Sequence, residues 1–140
     1  EKWAISAGYS YLDSEQTDPG PSCNRAGVCN PINPAKGKQL PNVPKNSATL
    51  WTTYKILPQL TLGGGAVYAD KVYGDAANTK WVDSYIRYDA MARYDVNSAV
   101  NLQLNVNNLS DKRYFTKAYT SHYAAEAEGR SAVLSLNFKY

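Results

Sequence analysis

The ten residues Ser131-Ala-Val-Leu-Ser-Leu-Asn-Phe-Lys-Tyr140 decide the fold. Ala132, Leu134, Leu136, Phe138 and Tyr140 fall on one face of an extended chain, and Ser131, Val133, Ser135, Asn137 and Lys139 on the other. A strand repeats every two residues, so this is a strand whose apolar face ends in an aromatic ring. A water-soluble domain gains little from ending on an exposed Tyr two positions after a Phe. The closing strand of a transmembrane barrel does, because its aromatic side chains sit in girdles at the membrane interface.

Five more stretches alternate in the same way. Residues 2–12 place Trp3, Ile5, Ala7, Tyr9 and Tyr11 on one face. Residues 47–57 set Leu50, Thr52, Tyr54 and Ile56 against Thr49, Trp51, Thr53 and Lys55, and residues 60–72 set Leu60, Leu62, Gly64, Ala66 and Tyr68 against Thr61, Gly63, Gly65, Val67 and Ala69. Gly63-Gly64-Gly65 costs strand stability; it marks a bend or a close approach of another backbone, with ligand contact as the alternative. Residues 84–95 oppose Ile86, Tyr88, Ala90, Ala92 and Tyr94 to Arg87, Asp89, Met91, Arg93 and Asp95. Charges so placed are costly against a protein core unless paired, whereas a water-filled or plugged lumen accepts them. Val100, Leu102, Leu104 and Val106 face away from Asn101, Gln103, Asn105 and Asn107.

The connections sort into two kinds. Turns at 58–59 and 97–98 are short, while 13–45, 74–83 and 110–129 are long, and the two kinds take turns along the chain. The first long connection holds six of the seven prolines and both cysteines, without periodicity. Outer-membrane barrels pair short periplasmic turns with long extracellular loops. Apolar-and-polar alternation by itself also describes a soluble sandwich; loop asymmetry, tyrosine-capped bands and the aromatic ending together favour the membrane. Six strands are too few to close a barrel, for which about eight is the usual minimum.

Composition agrees. Twelve Tyr and three Trp against two Phe supply rings with polar tips, suited to a hydrocarbon–water interface. No stretch approaches the ~20 apolar residues of a spanning helix. A charge of +3 from 15 basic and 12 acidic residues, without a basic run, argues against nucleic acid. A single His, no serine-nucleophile motif and no phosphate loop argue against an enzyme. Glu1-Lys-Trp-Ala-Ile enters a strand at once, so the chain is expected to be the C-terminal fragment of a longer protein.

Asn105-Val-Asn-Asn-Leu-Ser-Asp-Lys-Arg-Tyr114 resembles the Asn-Leu-x-Asp-Lys-x-Tyr stretch near the end of TonB-dependent outer-membrane receptors. Gly129-Arg130-Ser131 through Tyr140 resembles their C-terminal signal for the barrel-assembly machinery, whose more usual last residue is Phe. Tyr119-Thr-Ser-His122-Tyr123, Gly63-Gly-Gly65 and Tyr73-Gly-Asp75 resemble the branch that imports ferric catecholate siderophores. The resemblance runs from about Pro41 to the end. It implies an all-β, antiparallel, up-and-down transmembrane β-barrel of about 22 strands with a plugged lumen. Residues 1–140 would supply its last six strands, as three hairpins, with the plug and earlier strands outside this chain. It further implies active transport of a ferric siderophore energised through TonB, in the bacterial outer membrane, with long loops extracellular and the C-terminus periplasmic. Implied partners are the siderophore, outer-membrane lipid and lipopolysaccharide, the TonB complex, the assembly machinery and the rest of the barrel. No cofactor is implied, iron entering only with its siderophore. A passive porin or adhesin-like barrel, and a secreted β-domain binding carbohydrate or protein, are the alternatives.

Candidate residues follow. A ferric tris-catecholate is an anion with flat rings, so cations and aromatic faces should receive it. Lys80 and Trp81, with Arg113, Tyr114, Lys117, Tyr119, His122 and Tyr123, offer that mixture; a merely solvated loop is the alternative. Arg87, Asp89, Arg93 and Asp95 are expected to face the lumen, the arginines pairing with the aspartates or meeting the plug. Leu134, Leu136, Phe138 and Tyr140 carry the assembly signal. Cys23 and Cys29 read as a disulfide formed in an oxidising compartment, since a zinc site would need more ligands than one His can add.

Overall fold

The computed structural model describes residues 2–120 and 123–139; the expectations for His122 and Tyr140 lie outside them. Twelve strands appear in chain order: β1 Trp3–Tyr11, β2 Ser22–Cys23, β3 Cys29–Asn30, β4 Asn46–Leu57, β5 Leu60–Ala69, β6 Val72–Tyr73, β7 Trp81–Val82, β8 Tyr85–Asp95, β9 Val100–Asn107, β10 Phe115–Ala118, β11 Ala124–Glu126 and β12 Ser131–Phe138. Among the described residues there is no helix. Six strands form one sheet in the order β1-β4-β5-β8-β9-β12, every neighbour antiparallel. The other six form three two-stranded hairpins, β2-β3, β6-β7 and β10-β11, one in each long connection.

The register explains why alternation dominates the sequence. Ile5 lies opposite Thr52, Thr52 opposite Gly64, Gly64 opposite Ala90, Ala90 opposite Val106 and Val106 opposite Ala132. Directly opposed residues share a face, so every strand contributes its apolar set to one side. Leu102, Leu104, Leu134, Leu136, Leu50 and Leu62 stay exposed there, and what little hydrophobic core exists is elsewhere. The sheet is an open wall, since the barrel is not closed within this chain.

Both ends of the apolar face carry aromatic rings. Trp3, Tyr54, Tyr94 and Phe138 lie toward the short turns, and Tyr9, Tyr11 and Tyr68 toward the long loops. The polar tips of Trp3, Tyr9 and Tyr68 find partners. The Trp3 indole N–H donates to Thr52 Oγ1 at 2.7 Å, and the Tyr9 hydroxyl to Asn46 Oδ1 at 2.7 Å. Asn46 Nδ2 donates onward to Asp70 Oδ2 at 2.8 Å, and Tyr68 Oη donates to Asp70 Oδ1 at 3.1 Å. The third long strand ends at Ala69, short of the expected 72; the Asp70 amide still bonds the Asn46 carbonyl before the chain turns into the loop. The Asn46 hydrogen bond holds the Asp70 carboxyl below its ordinary pKa against the opposing effect of burial.

On the polar face, Arg87 pairs with Asp89 at 2.8 Å and Arg93 with Asp95 at 2.9 Å. Each pair is two residues apart on one strand, which puts both groups on the same side. The three glycines are not equivalent. A Cβ at Gly65 would overlap the Trp51 ring and lie 2.5 Å from the Leu50 carbonyl oxygen; at Gly63 it would sit 3.0 Å from Thr53 Cγ2. At Gly64, on the apolar face, it would meet nothing closer than 3.7 Å. A tryptophan ring crossing the neighbouring strand, rather than a bend, accounts for Gly65.

Candidate functional site

The long connections were expected to be irregular, and they are instead folded against one another. Val72, Val82 and Ala118 are buried together with Phe115 packed on them, a small core belonging to loops alone. Gly74 permits it: a Cβ there would stand 2.8 Å from the Ala118 backbone carbon and from the Tyr119 amide nitrogen. Asp75 organises the 75–80 turn by accepting from the Thr79 amide and hydroxyl and from the Lys80 amide. Burial raises the Asp75 carboxyl pKa, but the hydrogen bonds from Lys80 and Thr79 outweigh it and hold it below the ordinary value.

Two asparagines join the loops, each through both ends of its amide. Asn42 Oδ1 accepts from the Ala118 amide at 2.9 Å while its Nδ2 donates to the Ala118 carbonyl at 3.0 Å. Asn78 Oδ1 accepts from the Gln39 amide at 2.8 Å while its Nδ2 donates to the Gln39 carbonyl at 2.9 Å. Both residues have φ near +58°, a left-handed conformation that asparagine tolerates. The Asn42 amide also donates to the Tyr73 carbonyl, and Lys80 Nζ to the Thr120 carbonyl at 2.6 Å. Residues 12–45, 70–84, 108–120 and 123–130 therefore make one crown over the end of the sheet. Cys23 and Cys29 are disulfide-bonded within the 12–45 segment, where Asn24 also accepts from the amides of Ala26 and Val28.

The crown presents some expected ligand residues and withholds others. Trp81 is 56% exposed, Tyr119 48% and Tyr123 74%; Lys117 is exposed beside them on β10. Arg113 is exposed but doubly bonded to Glu126, with Nε–Oε1 at 2.6 Å, and it lies over the Phe115 ring. Glu126 raises its pKa above the ordinary value. Tyr114 corrects the expectation: it is 7% exposed, its ring 4.3 Å from that of Tyr85, and it is part of the packing beneath the crown.

The motif that carried the resemblance turns out to be a joint. Asn108 is 1% exposed, with φ +51°, and its Nδ2 donates to the carbonyls of Lys112 and Glu128 while its Oδ1 accepts from the Lys112 amide. Asp111, also at positive φ, accepts from the Arg130 amide at 2.9 Å. These residues close the loop so that β12 re-enters the sheet beside β9. Gln39, Asn42 and Asn78 were not singled out from the sequence, and Gly74 and Asn108 entered only as members of motifs; isolated asparagines in a polar loop look like solvated turn residues.

An antiparallel up-and-down sheet with one continuous apolar face, aromatic rims and a charged reverse is a segment of a transmembrane β-barrel wall. Residues 2–109 match the family described as TonB dependent receptor-like, beta-barrel, and the chain belongs to the TonB-dependent receptors. It is 74% identical over all 140 residues to the probable TonB-dependent siderophore receptor PiuA of Acinetobacter baumannii, covering 19% of that protein. The crystal structure of that receptor superposes with a TM-score of 0.91 over 100% of this chain and 20% of the receptor's. The probable TonB-dependent receptor BfrD of Bordetella pertussis is 41% identical over 99% of this chain and 19% of its own length. The closed form of the ferric-catecholate import receptor Fiu of K12 E. coli has a TM-score of 0.77 and 26% identity, covering 98% of this chain and 19% of Fiu. The chain thus spans about a fifth of the length of the relatives it matches.

Proposed function

We propose that this chain is the C-terminal part, last six strands and three hairpins, of an outer-membrane receptor that imports a ferric siderophore, of catecholate type, with energy delivered through TonB. The observation that carries the reading is the 74% identity to PiuA along the entire chain. The catecholate assignment is supported by the exposure of Trp81, Tyr119 and Tyr123 and of Lys117 on the crown, rings and a cation of the kind a flat aromatic anion calls for. Lys80, Arg113 and His122 complete the proposed cationic set. The crown then faces the outside, and the short turns and C-terminus the periplasm. Arg87, Asp89, Arg93 and Asp95 face the lumen, and the apolar face meets lipid, with lipopolysaccharide at the outer rim. Strands from the rest of the receptor pair with β1 and β12, the edges of the sheet. Leu134, Leu136, Phe138 and Tyr140 are read by the assembly machinery. No cofactor beyond the ferric ligand, and no catalytic residue, is invoked.

The test is uptake of radiolabelled iron, as a ferric catecholate and as a ferric hydroxamate, by cells with and without the parent gene. Loss of catecholate uptake alone, and its abolition by a protonophore, is the expected result. Loss of hydroxamate uptake would overturn the ligand class; unchanged uptake of both would overturn the transporter reading and return the passive barrel.

A further inference from the structure

We infer that Asn42 and Asn78 are positioning residues that make the three long loops one cooperative body, so that the ligand-facing side chains of separate loops are held in register before any ligand arrives. The inference deepens the siderophore-receptor reading and rests on it for the ligand, but not for the coupling.

The argument starts from what each amide replaces. A backbone N–H and C=O pair is normally satisfied by another strand, which supplies a donor and an acceptor side by side. Asn42 supplies both to Ala118, 76 residues away, and Asn78 supplies both to Gln39, 39 residues away. Each side chain thus stands in for a strand edge where no strand reaches. The two clamps act in series through the 12–45 segment: Gln39 is held by 70–84, and Asn42, three residues on, is held by 108–130. That segment is therefore the strap between the other two, which also touch directly where Gly74 meets Ala118.

The ligand-facing groups divide across the same joint. Trp81 belongs to β7, and Lys117 and Tyr119 to β10 and its exit. Three loops moving separately would have to be ordered together on binding, and affinity falls by the fraction of time they are apart. A preassembled crown avoids that loss.

The experiment uses the full-length receptor carrying Asn42→Gly or Asn78→Gly. Glycine keeps the positive φ at no steric cost and removes the clamp, with Asn78 also losing the longer bond from its Nδ2 to the Asp75 carbonyl at 3.3 Å. Gly74→Ala breaks the joint independently, by placing a methyl group against the Ala118 backbone. Barrel insertion is checked by heat-modifiable electrophoresis, so that a variant that fails to assemble is recognised, and the remaining variants carry the test. Amide hydrogen exchange is then followed by mass spectrometry. Asn78→Gly is expected to speed exchange about tenfold, the loss of its two hydrogen bonds to Gln39, at residues 36–42. It should also speed exchange at 115–118, which Asn78 does not touch. Titration with a ferric catecholate should show weaker binding, with the maximal uptake rate unchanged. Faster exchange confined to each clamp's direct partner would overturn the inference, as would unchanged binding in all three variants that assemble. A receptor that binds no ferric siderophore but still shows exchange spreading between loops would overturn only the functional reading.

Discussion

Replacing Gly63, Gly64 and Gly65 one at a time by alanine should give three different answers, although the residues are adjacent and all extended. Alanine at any of them stiffens the unfolded chain, a gain of about 0.4–1 kcal/mol. At Gly64 that gain stands alone, because the new Cβ has no neighbour closer than 3.7 Å. At Gly63 it meets Thr53 Cγ2 at 3.0 Å, Met91 Cε at 3.2 Å and the Thr52 carbonyl oxygen at 3.3 Å, each tight by only a few tenths of an ångström; the net change should fall within about 0.5 kcal/mol of zero. At Gly65 the obstacles are the Trp51 ring and the Leu50 carbonyl, and the latter is backbone of a strand fixed on both sides. Overpacking costs about 1–3 kcal/mol, so Gly65→Ala should be less stable than Gly64→Ala by roughly 2 kcal/mol, on the order of a thirtyfold change in the folding equilibrium. Urea unfolding of the full-length receptor in lipid vesicles, followed by electrophoretic mobility without heating, measures the order. Adding Trp51→Ala should recover only part of the loss, since the Leu50 carbonyl remains. Equal effects at Gly64 and Gly65 would refute the reasoning, and would mean that strand propensity rather than the Trp51 contact sets the cost.

Three further outcomes follow from the loops. Asn108→Ala removes three hydrogen bonds from a residue that is 1% exposed and leaves a non-glycine side chain at φ +51°; a destabilisation of about 2–4 kcal/mol and slower insertion of the receptor are expected by pulse-chase assembly. Cys23→Ser with Cys29→Ser frees a small ring worth about 2 kcal/mol. Trypsin cleavage at Arg25 should accelerate while barrel stability stays the same. The Asp75 carboxyl titrates below its unfolded value near 3.8, so its stabilisation of the 75–80 turn is complete above that value and is lost as pH falls through the lower folded one. Exchange protection of Thr79 and Lys80 should therefore drop below about pH 4, and Asp75→Asn should weaken this pH dependence.

The six long strands were legible in the sequence because each solves a one-dimensional problem. A two-residue period against two different surroundings leaves its mark at every position, and β8 and β9 show it from Ile86 to Val106 without help from distant residues. The pattern placed Leu104 and Leu134 each on an apolar face, and the ladder shows them directly opposed. The crown left no such mark. β6, β7, β2 and β3 are two residues long, too short for any period, and β6 is held by distant contacts such as the Asn42 amide on the Tyr73 carbonyl. Tyr114 shows the same limit from the other side: a tyrosine between Arg113 and Phe115 looks like ligand-facing surface until Tyr85 is found against it.

The motif from Asn105 to Tyr114 brings the two regimes together. Up to Asn107 it obeys the strand period, each residue facing its partner on β12. At Asn108 the backbone turns left-handed, the amide of Leu109 returns to the Tyr88 carbonyl, and the Asn108 amide proton goes to Asp89 Oδ1. That last bond ties the joint to the polar face, because Asp89 also holds Arg87. The residue pattern that carried the resemblance is thus a pattern for ending a wall strand, closing a loop and starting the next strand in register. The geometry of the turn accounts for it without reference to any ligand. On the proposed function, ligand class has to be sought in the exposed rings and cations of the crown, whose substitution should change uptake while leaving the wall intact.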